Sequence, residues 1–236
     1  NKINVIHGHG AKGGLYARLV AFALGNCVSI YTPHGGSLHK AFGITLGWLF
    51  CAVEYLLSYF TEYYIFESDY SCRSFLENVR IIPDSKFIVN KNAINNEIKV
   101  FNSASHSICK LLVVGSLRQV KGQIVAINAF EFLLKQGFNY HLTFVGSGPD
   151  LIMLKEIVAK KNLCKFVFFV GDVVDVSKYY DETDVVLIPS FFESFGYVAL
   201  EAFAWAKPVI ASNTGGLTEI IKHERNGLLF TAGDSI

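Results

Sequence analysis

Short apolar runs alternate with helix-compatible stretches throughout the second half of the chain. The runs are rich in β-branched and aromatic residues and end at small or turn-forming residues, which is typical of buried strands. We predict strands at Leu111–Gly115, Tyr140–Val145, Phe166–Val170, Val185–Pro189, Pro208–Ala211 and Gly227–Phe230. Helices are predicted at Gln123–Gln136, Asp150–Lys160, Val174–Asp181, Tyr197–Ala204 and Gly216–Lys222. This alternation predicts a doubly wound parallel sheet, which binds ligands at the carboxyl ends of its strands.

The first half repeats the pattern less completely. Strands are predicted at Lys2–His7, Val28–Pro33, Glu62–Phe66 and Lys86–Val89, with helices at Leu15–Leu24, about 39–58 and Ser71–Asn78. The stretch 90–107 is polar, rich in Asn and Ser, and without a helical or strand period, so we interpret it as a hinge. We therefore expect an α/β protein with a partial domain at 1–95, a linker at 96–107 and a second domain at 108–236.

Composition adds constraints on partners and location. Lys plus Arg number 21 against 20 Asp plus Glu, so the balance offers no reason to expect binding to nucleic acid. The five cysteines are scattered and include no C-x-x-C pair, which favours reduced thiols in a cytoplasmic protein. No positively charged stretch followed by an apolar run stands before the first predicted strand, so we do not expect a signal peptide in this sequence. We expect the chain to be a fragment that lacks the first strands and the last helix of a longer protein.

The apolar segment Ile44–Phe60 raises the question of a membrane. It has 17 residues and contains Glu54, whereas a spanning helix needs about 20 apolar residues. We predict a buried core helix. Contact with the surface of a membrane, at the inner face of the cell membrane, is the alternative.

A glycine-rich motif near the amino terminus suggests a dinucleotide site. Gly8 to Gly13 match G-x-G-x-x-G between a predicted strand and a predicted helix. That fingerprint needs an acidic residue about 20 positions on to hold a ribose. No Asp or Glu occurs between Gly14 and Glu54, so we disfavour a nicotinamide site and predict a turn that lines a cleft.

Four histidines, at positions 7, 9, 34 and 39, raise the question of a metal. We expect His7 and His9 to point to opposite faces of their strand, and no carboxylate or thiol lies near in sequence to complete a ligand shell. The prediction is that no metal is bound.

The stretch from Pro189 to Ala202 carries the most chemical information. A strand breaks at Pro189, a loop with Glu193 and Gly196 follows, and a helix then begins. The amides of its first turn can bind phosphate or sugar hydroxyls. A carboxylate in its second turn, Glu201, suits a ribose diol.

We do not expect Glu193 and Glu201 to form a catalytic pair of the hydrolytic kind, because about 12 Å of helix would separate them. That distance exceeds the spacing in hydrolytic pairs, so we expect different roles. Each could also be an ordinary surface residue.

The setting P-S-x-x-E-S-F-G-x-x-x-L-E-A resembles the signature of family 4 of the retaining GT-B glycosyltransferases. The resemblance extends from about residue 3 to 230 and includes Val5–Gly10, Thr32–Gly35, Asn92–Asn95, Val114–Leu117, Lys121–Gly122, Phe144–Pro149, Val170–Val173, Pro208–Ala211, Gly215–Ile220 and Asn226–Leu229. It implies two Rossmann-like domains, the amino-terminal one incomplete. The implied activity is transfer from a nucleoside diphosphate sugar with retention, without metal or cofactor.

The resemblance also implies roles for individual residues. Glu201 would hold the ribose, Glu193 the transferred sugar, and Lys121 the diphosphate, while His34 would lie near the anomeric carbon. Catalysis is thus assigned to His34, Glu193 and Lys121, and the acceptor side to His7, His9 and Gly10. The donor-binding residues would be Ser116, Arg118, Lys121, Gly146, Gly148, Val173, Glu193, Ser194, Phe195, Gly196, Val198 and Glu201.

The chain departs from the family pattern in two places. Ser116 stands where the family usually has an arginine, and Arg118 is a candidate to replace its contact with the diphosphate. The family's amino-terminal glycine loop, which shapes the sugar and acceptor pockets, is absent from the sequence.

We therefore expect a hexose or amino-hexose to pass to a polysaccharide or lipid-linked acceptor. The alternatives are a fragment that binds donor without transfer, a sugar-nucleotide epimerase, a pyridoxal-phosphate phosphorylase, and an oxidoreductase. The base, sugar, acceptor and linkage stay open.

Overall fold

The computed structural model of the protein describes residues 3–34, 43–79, 86–94 and 108–235. The chain divides into two compact units, Asn1–Asn92 and Ala93–Ile236. The predicted linker at 96–107 lies outside the described residues, so its boundaries stay a prediction.

The first unit contains a four-stranded parallel sheet in the order β1-β2-β3-β4. Its strands are β1 (Val5–His9), β2 (Val28–Thr32), β3 (Tyr63–Phe66) and β4 (Phe87–Val89). Its helices are α1 (Gly10–Leu24), α2 (Gly43–Ser58) and α3 (Asp69–Asn78). Each strand lies beside the next in the chain, so right-handed crossovers place the three helices on one face of the sheet.

Burial along the strands follows from this one-sided cover. Ser29, Tyr31, Tyr64 and Phe66 point to the helices and are buried, with Phe75 of α3 in the same core. Several residues of the opposite face are exposed, namely Val5, Val28, Tyr63 and Ile88, whereas Ile30 and Ile65 are half-buried.

Helix α1 begins at Gly10, five residues before the predicted start, so the expected glycine-rich turn is mostly helix. Its glycines serve close packing. A Cβ atom on Gly14 would lie 2.2 Å from the Tyr31 ring, so a larger residue would push α1 off the sheet. Packing against β2 therefore overrides the low helix propensity of glycine.

Helix α2 is buried on one side only, so the prediction of a buried core helix is wrong for its other side. Glu54 and Leu57 are buried, whereas Trp48 and Leu56 are 73% and 60% exposed. Among the helices in the described ranges, none combines the length and apolar content needed to cross a bilayer.

The second unit contains a six-stranded parallel sheet in the order β10-β9-β8-β5-β6-β7. Its strands are β5 (Cys109–Val114), β6 (Tyr140–Val145), β7 (Val167–Gly171), β8 (Val185–Ile188), β9 (Val209–Ser212) and β10 (Leu228–Phe230). Its helices are α4 (Gln123–Lys135), α5 (Leu151–Lys160), α6 (Ser177–Glu182), α7 (Tyr197–Ala204) and α8 (Leu217–Ile220). The prediction of strands and helices in this half is confirmed to within a few residues.

Both faces of this second sheet are covered. Along β5, Leu111 and Val113 pack into one apolar core and Leu112 into another on the opposite face. The chain order reverses between β5 and β8, which are neighbours in the sheet although β6 and β7 intervene in sequence. A doubly wound sheet opens a crevice where the strand order reverses, at the carboxyl ends of the two strands.

Candidate functional site

A cavity of about 260 Å³ lies where β5 and β8 end. Gly115 and Ser116 follow β5, and Pro189 and Ser190 follow β8, so the two loops form opposite walls. Polar groups of the wall come from Ser116, Lys121, Gln123, Ser190 and Glu193, and Val198 of α7 is among its apolar groups. The crevice predicted by the topology is therefore present and polar.

The dominant charges in this cavity are Lys121 and Glu193. Lys121 ends a 3₁₀ turn, Gln119–Lys121, and its Nζ lies 2.6 Å from Oε2 of Glu193. The hydroxyl of Ser190 lies 3.4 Å from the same oxygen. The Lys121 and Glu193 side chains are 30% and 15% exposed, so the pair is only partly screened by water. The two residues are 72 positions apart in sequence and meet through the fold.

The loops after β5 and β8 approach each other closely through their backbones. The amide of Phe191 donates to the carbonyl of Val120 across 2.9 Å. Gly122 has a φ of 66°, and a Cβ atom there would lie 2.0 Å from the carbonyl oxygen of Pro189. A glycine is therefore required beside Lys121 for the two loops to approach this closely.

The loop that carries Glu193 is also anchored from its other side. The amide of Gly216 donates to the carbonyl of Glu193 across 2.9 Å. Ser194, Phe195 and Gly196 then lead into α7, whose first turn has no side-chain cap. Uncapped amides at a helix start can receive an anionic or hydroxyl ligand. Ser194, Phe195 and Gly196 do not line the cavity between β5 and β8.

A second cavity, of about 440 Å³, lies at the ends of β5, β6 and β7. Predicted donor-binding residues that line it are Ser116, Arg118, Gly146, Gly148 and Val173. The Ser147 hydroxyl and the Asp172 carboxylate, also in this wall, are hydrogen-bonded to each other. Ser116 borders both cavities, so the two are adjacent.

Arg118 is exposed in the wall of the larger cavity. Its guanidinium makes no hydrogen bond or ion pair to any described residue, so it can receive an anion. The prediction that Arg118 replaces the missing arginine at Ser116 stays a prediction, and this position is compatible with it.

Glu201 lies in the second turn of α7, as predicted, and lines neither of these two cavities. Its Oε2 accepts a hydrogen bond of 2.7 Å from the hydroxyl of Tyr180 in α6. Nothing in the sequence indicated that Tyr180 is the partner of Glu201, because a tyrosine in a helix is typical of an ordinary core residue.

The first unit gathers its predicted residues at the end of β1 and β2. The His7 and His9 rings are 4.2 Å apart, and the His9 and His34 rings stack at 5.6 Å. The expectation that His7 and His9 point to opposite faces is wrong, because side chains two positions apart on a strand share a face. Gly10, the first residue of α1, follows them directly.

Glu67, which the sequence analysis missed, holds His34. Its Oε2 lies 2.8 Å from Nδ1 of His34 and 3.3 Å from Nδ2 of Asn92. The hydrogen bond to Glu67 raises the pKa of His34 above the usual histidine value, against the opposing effect of burial. The sequence offered one signal for this contact. Glu67 comes directly after β3, and β2 ends shortly before His34 at the same edge of the sheet.

The pKa of His7 is shifted in the opposite direction to that of His34. Burial lowers its pKa, and the charges of His9 and His34 lower it further. Its Nε2 lies 2.8 Å from the hydroxyl of Thr32. Within the described ranges, no three His, Cys, Asp or Glu side chains form a group that could hold a metal ion. Gly35, His39 and Asn95 lie outside the described residues.

Comparisons with known proteins place these sites in a family context. An uncharacterized glycosyltransferase of Methanocaldococcus jannaschii, MJ1607, is 42% identical over 120 residues, which cover 50% of this chain and 30% of that protein. The O-antigen biosynthesis glycosyltransferase WbnH of Escherichia coli is 31% identical over 230 residues, which cover 97% of this chain and 63% of that protein.

The fold has close counterparts among solved structures. Anabaena Alr3699/HepE, crystallised with UDP and glucose, superposes with a TM-score of 0.86 over 98% of this chain and 65% of that one, at 23% identity. The matched part of this chain thus spans less than two thirds of each of these proteins. The family of glycosyl transferases group 1 matches residues 96–236. Because that match covers more than half of the chain, the protein belongs to the glycosyl transferases group 1 family.

Proposed function

We propose that the protein transfers a hexose or amino-hexose from a nucleoside diphosphate sugar to a polysaccharide or lipid-linked acceptor. Retention of configuration and independence from metal ions are part of the proposal. The observation that carries it is the pairing of Lys121 with Glu193 in the wall of the smaller cavity, which adjoins the larger one at Ser116.

In this proposal, Lys121 holds the diphosphate. An ammonium group has three N–H donors, and one of them is directed to Glu193. The other two have no partner among the described residues, so phosphate oxygens can take them. Negative charge grows on the diphosphate as the glycosidic bond breaks, and a fixed ammonium group stabilises that charge more in the transition state than in the ground state.

In this proposal, Glu193 holds the sugar. Diphosphate repels its carboxylate, so Glu193 and the diphosphate are expected on opposite sides of Lys121. The sugar would then occupy the smaller cavity with Glu193 and Ser190, while the base occupies the larger one near Val173. The Anabaena protein was crystallised with UDP and glucose, which supports a donor of this class.

A saccharide acceptor is supported by the relatives. WbnH is named for O-antigen biosynthesis, the assembly of a polysaccharide. In the first unit, the hydrogen bond to Glu67 raises the pKa of His34, and the His34 ring stacks on that of His9, so His34 is suited to hold a proton. We assign the cluster to the acceptor and to the reacting bond.

Calorimetry with UDP, GDP and ADP, followed by a transfer assay with the corresponding sugars, tests the proposal. We expect one nucleoside diphosphate to bind. Lys121→Met and Glu193→Gln should each lower kcat by about 100-fold, because both act on the charge or sugar at the reacting centre. Glu201→Ala should mainly raise the Kd of the donor.

An exposed acid on α5, Glu156, provides the matched control, since Glu156→Gln changes an acid that lines neither cavity and should alter neither constant. Two results would contradict the proposal. One is that the wild-type protein binds none of the three nucleotides. The other is that the Glu193 and Glu201 variants lose the same donor affinity and keep the wild-type turnover.

A further inference from the structure

Tyr180 is a fully buried tyrosine with one polar contact. Its side chain is 1% exposed and packs with Val186 and Ala202 in the core on one face of the second sheet. Its ring stacks on Trp205, with the ring centroids 6.4 Å apart. Its hydroxyl emerges from this core to donate to Glu201 across 2.7 Å.

The contact fixes one oxygen of the Glu201 carboxylate and leaves the other open. Oε2 accepts from Tyr180, while Oε1 makes no hydrogen bond to the described residues. A glutamate on a helix has three side-chain torsions, and an immobile phenol restricts them to one orientation. A carboxylate that accepts two neighbouring hydroxyls needs such a fixed plane.

The position of the pair relates it to both cavities. Val198 lies three residues before Glu201 on α7 and lines the smaller cavity. Val176 lies four residues before Tyr180 and lines the larger cavity. The Tyr180–Glu201 contact therefore joins the two helices that border the cavities, where a ribose would connect a base to a diphosphate.

The phenol stays a donor throughout the physiological range. Burial raises the pKa of Tyr180 well above the usual tyrosine value, and the charge of Glu201 raises it further. Because the proton stays on the phenol, Tyr180 keeps its hydrogen bond to Glu201.

We propose that Tyr180 is a positioning residue that orients Glu201 toward the two hydroxyls of the donor's ribose. The inference rests on the proposed function, because it requires a nucleoside diphosphate at this site. Tyr180 itself contacts no ligand. It acts by holding the carboxylate, and its loss should therefore matter only for ligands with a ribose diol.

The experiment compares UDP with 2′,3′-dideoxy-UDP in the wild-type protein and in Tyr180→Phe, by calorimetry. The wild-type protein should bind UDP more tightly than the dideoxy compound. In Tyr180→Phe the Kd of UDP should rise by about five- to tenfold, the usual effect of one lost hydrogen bond. The Kd of the dideoxy compound should stay unchanged, and in the transfer assay the donor KM should rise while kcat stays within about twofold.

Tyr179→Phe is the matched control. Tyr179 is the preceding residue of the same helix, its hydroxyl makes no hydrogen bond to Glu201, and its substitution should leave both dissociation constants unchanged. Unchanged binding of the dideoxy compound also reports that each variant is folded.

The possible results separate the two proposals. If the wild-type protein binds no UDP, GDP or ADP, the proposed function is wrong. If it binds UDP and Tyr180→Phe keeps the wild-type ratio of the two dissociation constants, the role of Tyr180 is wrong. If the variant loses both ligands equally, Tyr180 is structural rather than ribose-specific, and the inference is again overturned.

Discussion

At the scale of single residues, charged groups at the carboxyl edges of the two sheets are held by partners that follow the neighbouring strand of the same sheet. Glu67 follows β3 and holds His34, which follows β2, at 2.8 Å. Glu193 follows β8 and holds Lys121, which follows β5, at 2.6 Å. Parallel strands bring their carboxyl ends to one edge, so residues far apart in sequence become neighbours there. Each group thus has a defined orientation before any ligand arrives.

The first prediction concerns His34. Glu67→Gln removes the negative charge beside the imidazole, so the pKa of His34 should fall toward or below the usual histidine value. NMR titration of the histidine Cε1–H signals measures this directly. Glu77→Gln, which changes an exposed acid on α3, should leave the pKa of His34 where it is in the wild-type protein.

The same pair has a pH-dependent effect on stability. The pKa of His34 is raised in the folded state, so the contribution of the pair is fully present below the ordinary histidine pKa. It is lost as the pH rises through the raised value. The stability difference between wild type and Glu67→Gln should therefore be largest in mild acid and shrink on the alkaline side. A difference that grows with pH would refute the assignment.

At the scale of elements, the approach of the β5 and β8 loops depends on Gly122. Gly122→Ala places a Cβ atom 2.0 Å from the Pro189 carbonyl oxygen at a φ of 66°. We expect a loss of about 2 kcal/mol or more of the free energy of unfolding, measured in urea, because one loop must move. Displacement of Lys121 should weaken nucleotide binding as well.

Gly137→Ala separates steric contact from backbone strain. Gly137 has a φ of 87°, also in the left-handed region, but its Cβ position has no heavy atom within 4 Å. Its substitution should cost about 1 kcal/mol through strain alone and leave nucleotide binding intact. Equal losses for the two variants would show that contact with Pro189 is unimportant.

Helices α1 and α2 are joined by a buried ion pair. Arg18 is 0% exposed, donates to Glu54 across 2.7 Å, and lies over the Tyr31 ring at 4.0 Å. Arg18→Met leaves a buried carboxylate without its cation and should cost about 3–5 kcal/mol of the free energy of unfolding. Replacing both groups, as in Arg18→Met with Glu54→Leu, should recover most of that loss.

A urea double-mutant cycle measures this coupling. The pair Lys135–Glu131 on α4, whose lysine side chain is 69% exposed, is the control, since Lys135→Met should change stability far less than Arg18→Met. Additive losses for Arg18 and Glu54 would mean that the two charges do not depend on each other.

At the scale of the whole molecule, helices pack on one face of the first sheet and on both faces of the second, because the two strand orders differ. The order β1-β2-β3-β4 advances in one direction, so right-handed crossovers place α1, α2 and α3 on one face. The order of the second sheet reverses at β5, so its helices lie on both faces. The same reversal opens the crevice that holds Lys121 and Glu193. Topology thus determines both burial and the position of the candidate site.

Local patterns in the chain were enough to predict the individual strands and helices and the reactive side chains that they carry. Strands such as β5 and β6 were predictable because apolar residues in short runs favour burial whatever their partners are. The loop after β8 was predictable because Pro189 ends a strand and a helix-compatible run follows Gly196.

Which of these residues contact one another depends on the tertiary structure. The contacts of Lys121 with Glu193, of Tyr180 with Glu201 and of His34 with Glu67 span 72, 21 and 33 positions. No local pattern encodes them, because the order of strands within a sheet arises from packing over the whole unit. The one-sided burial of α2 has the same origin. An apolar pattern predicts that a helix is buried, but it does not show which other elements pack against each side.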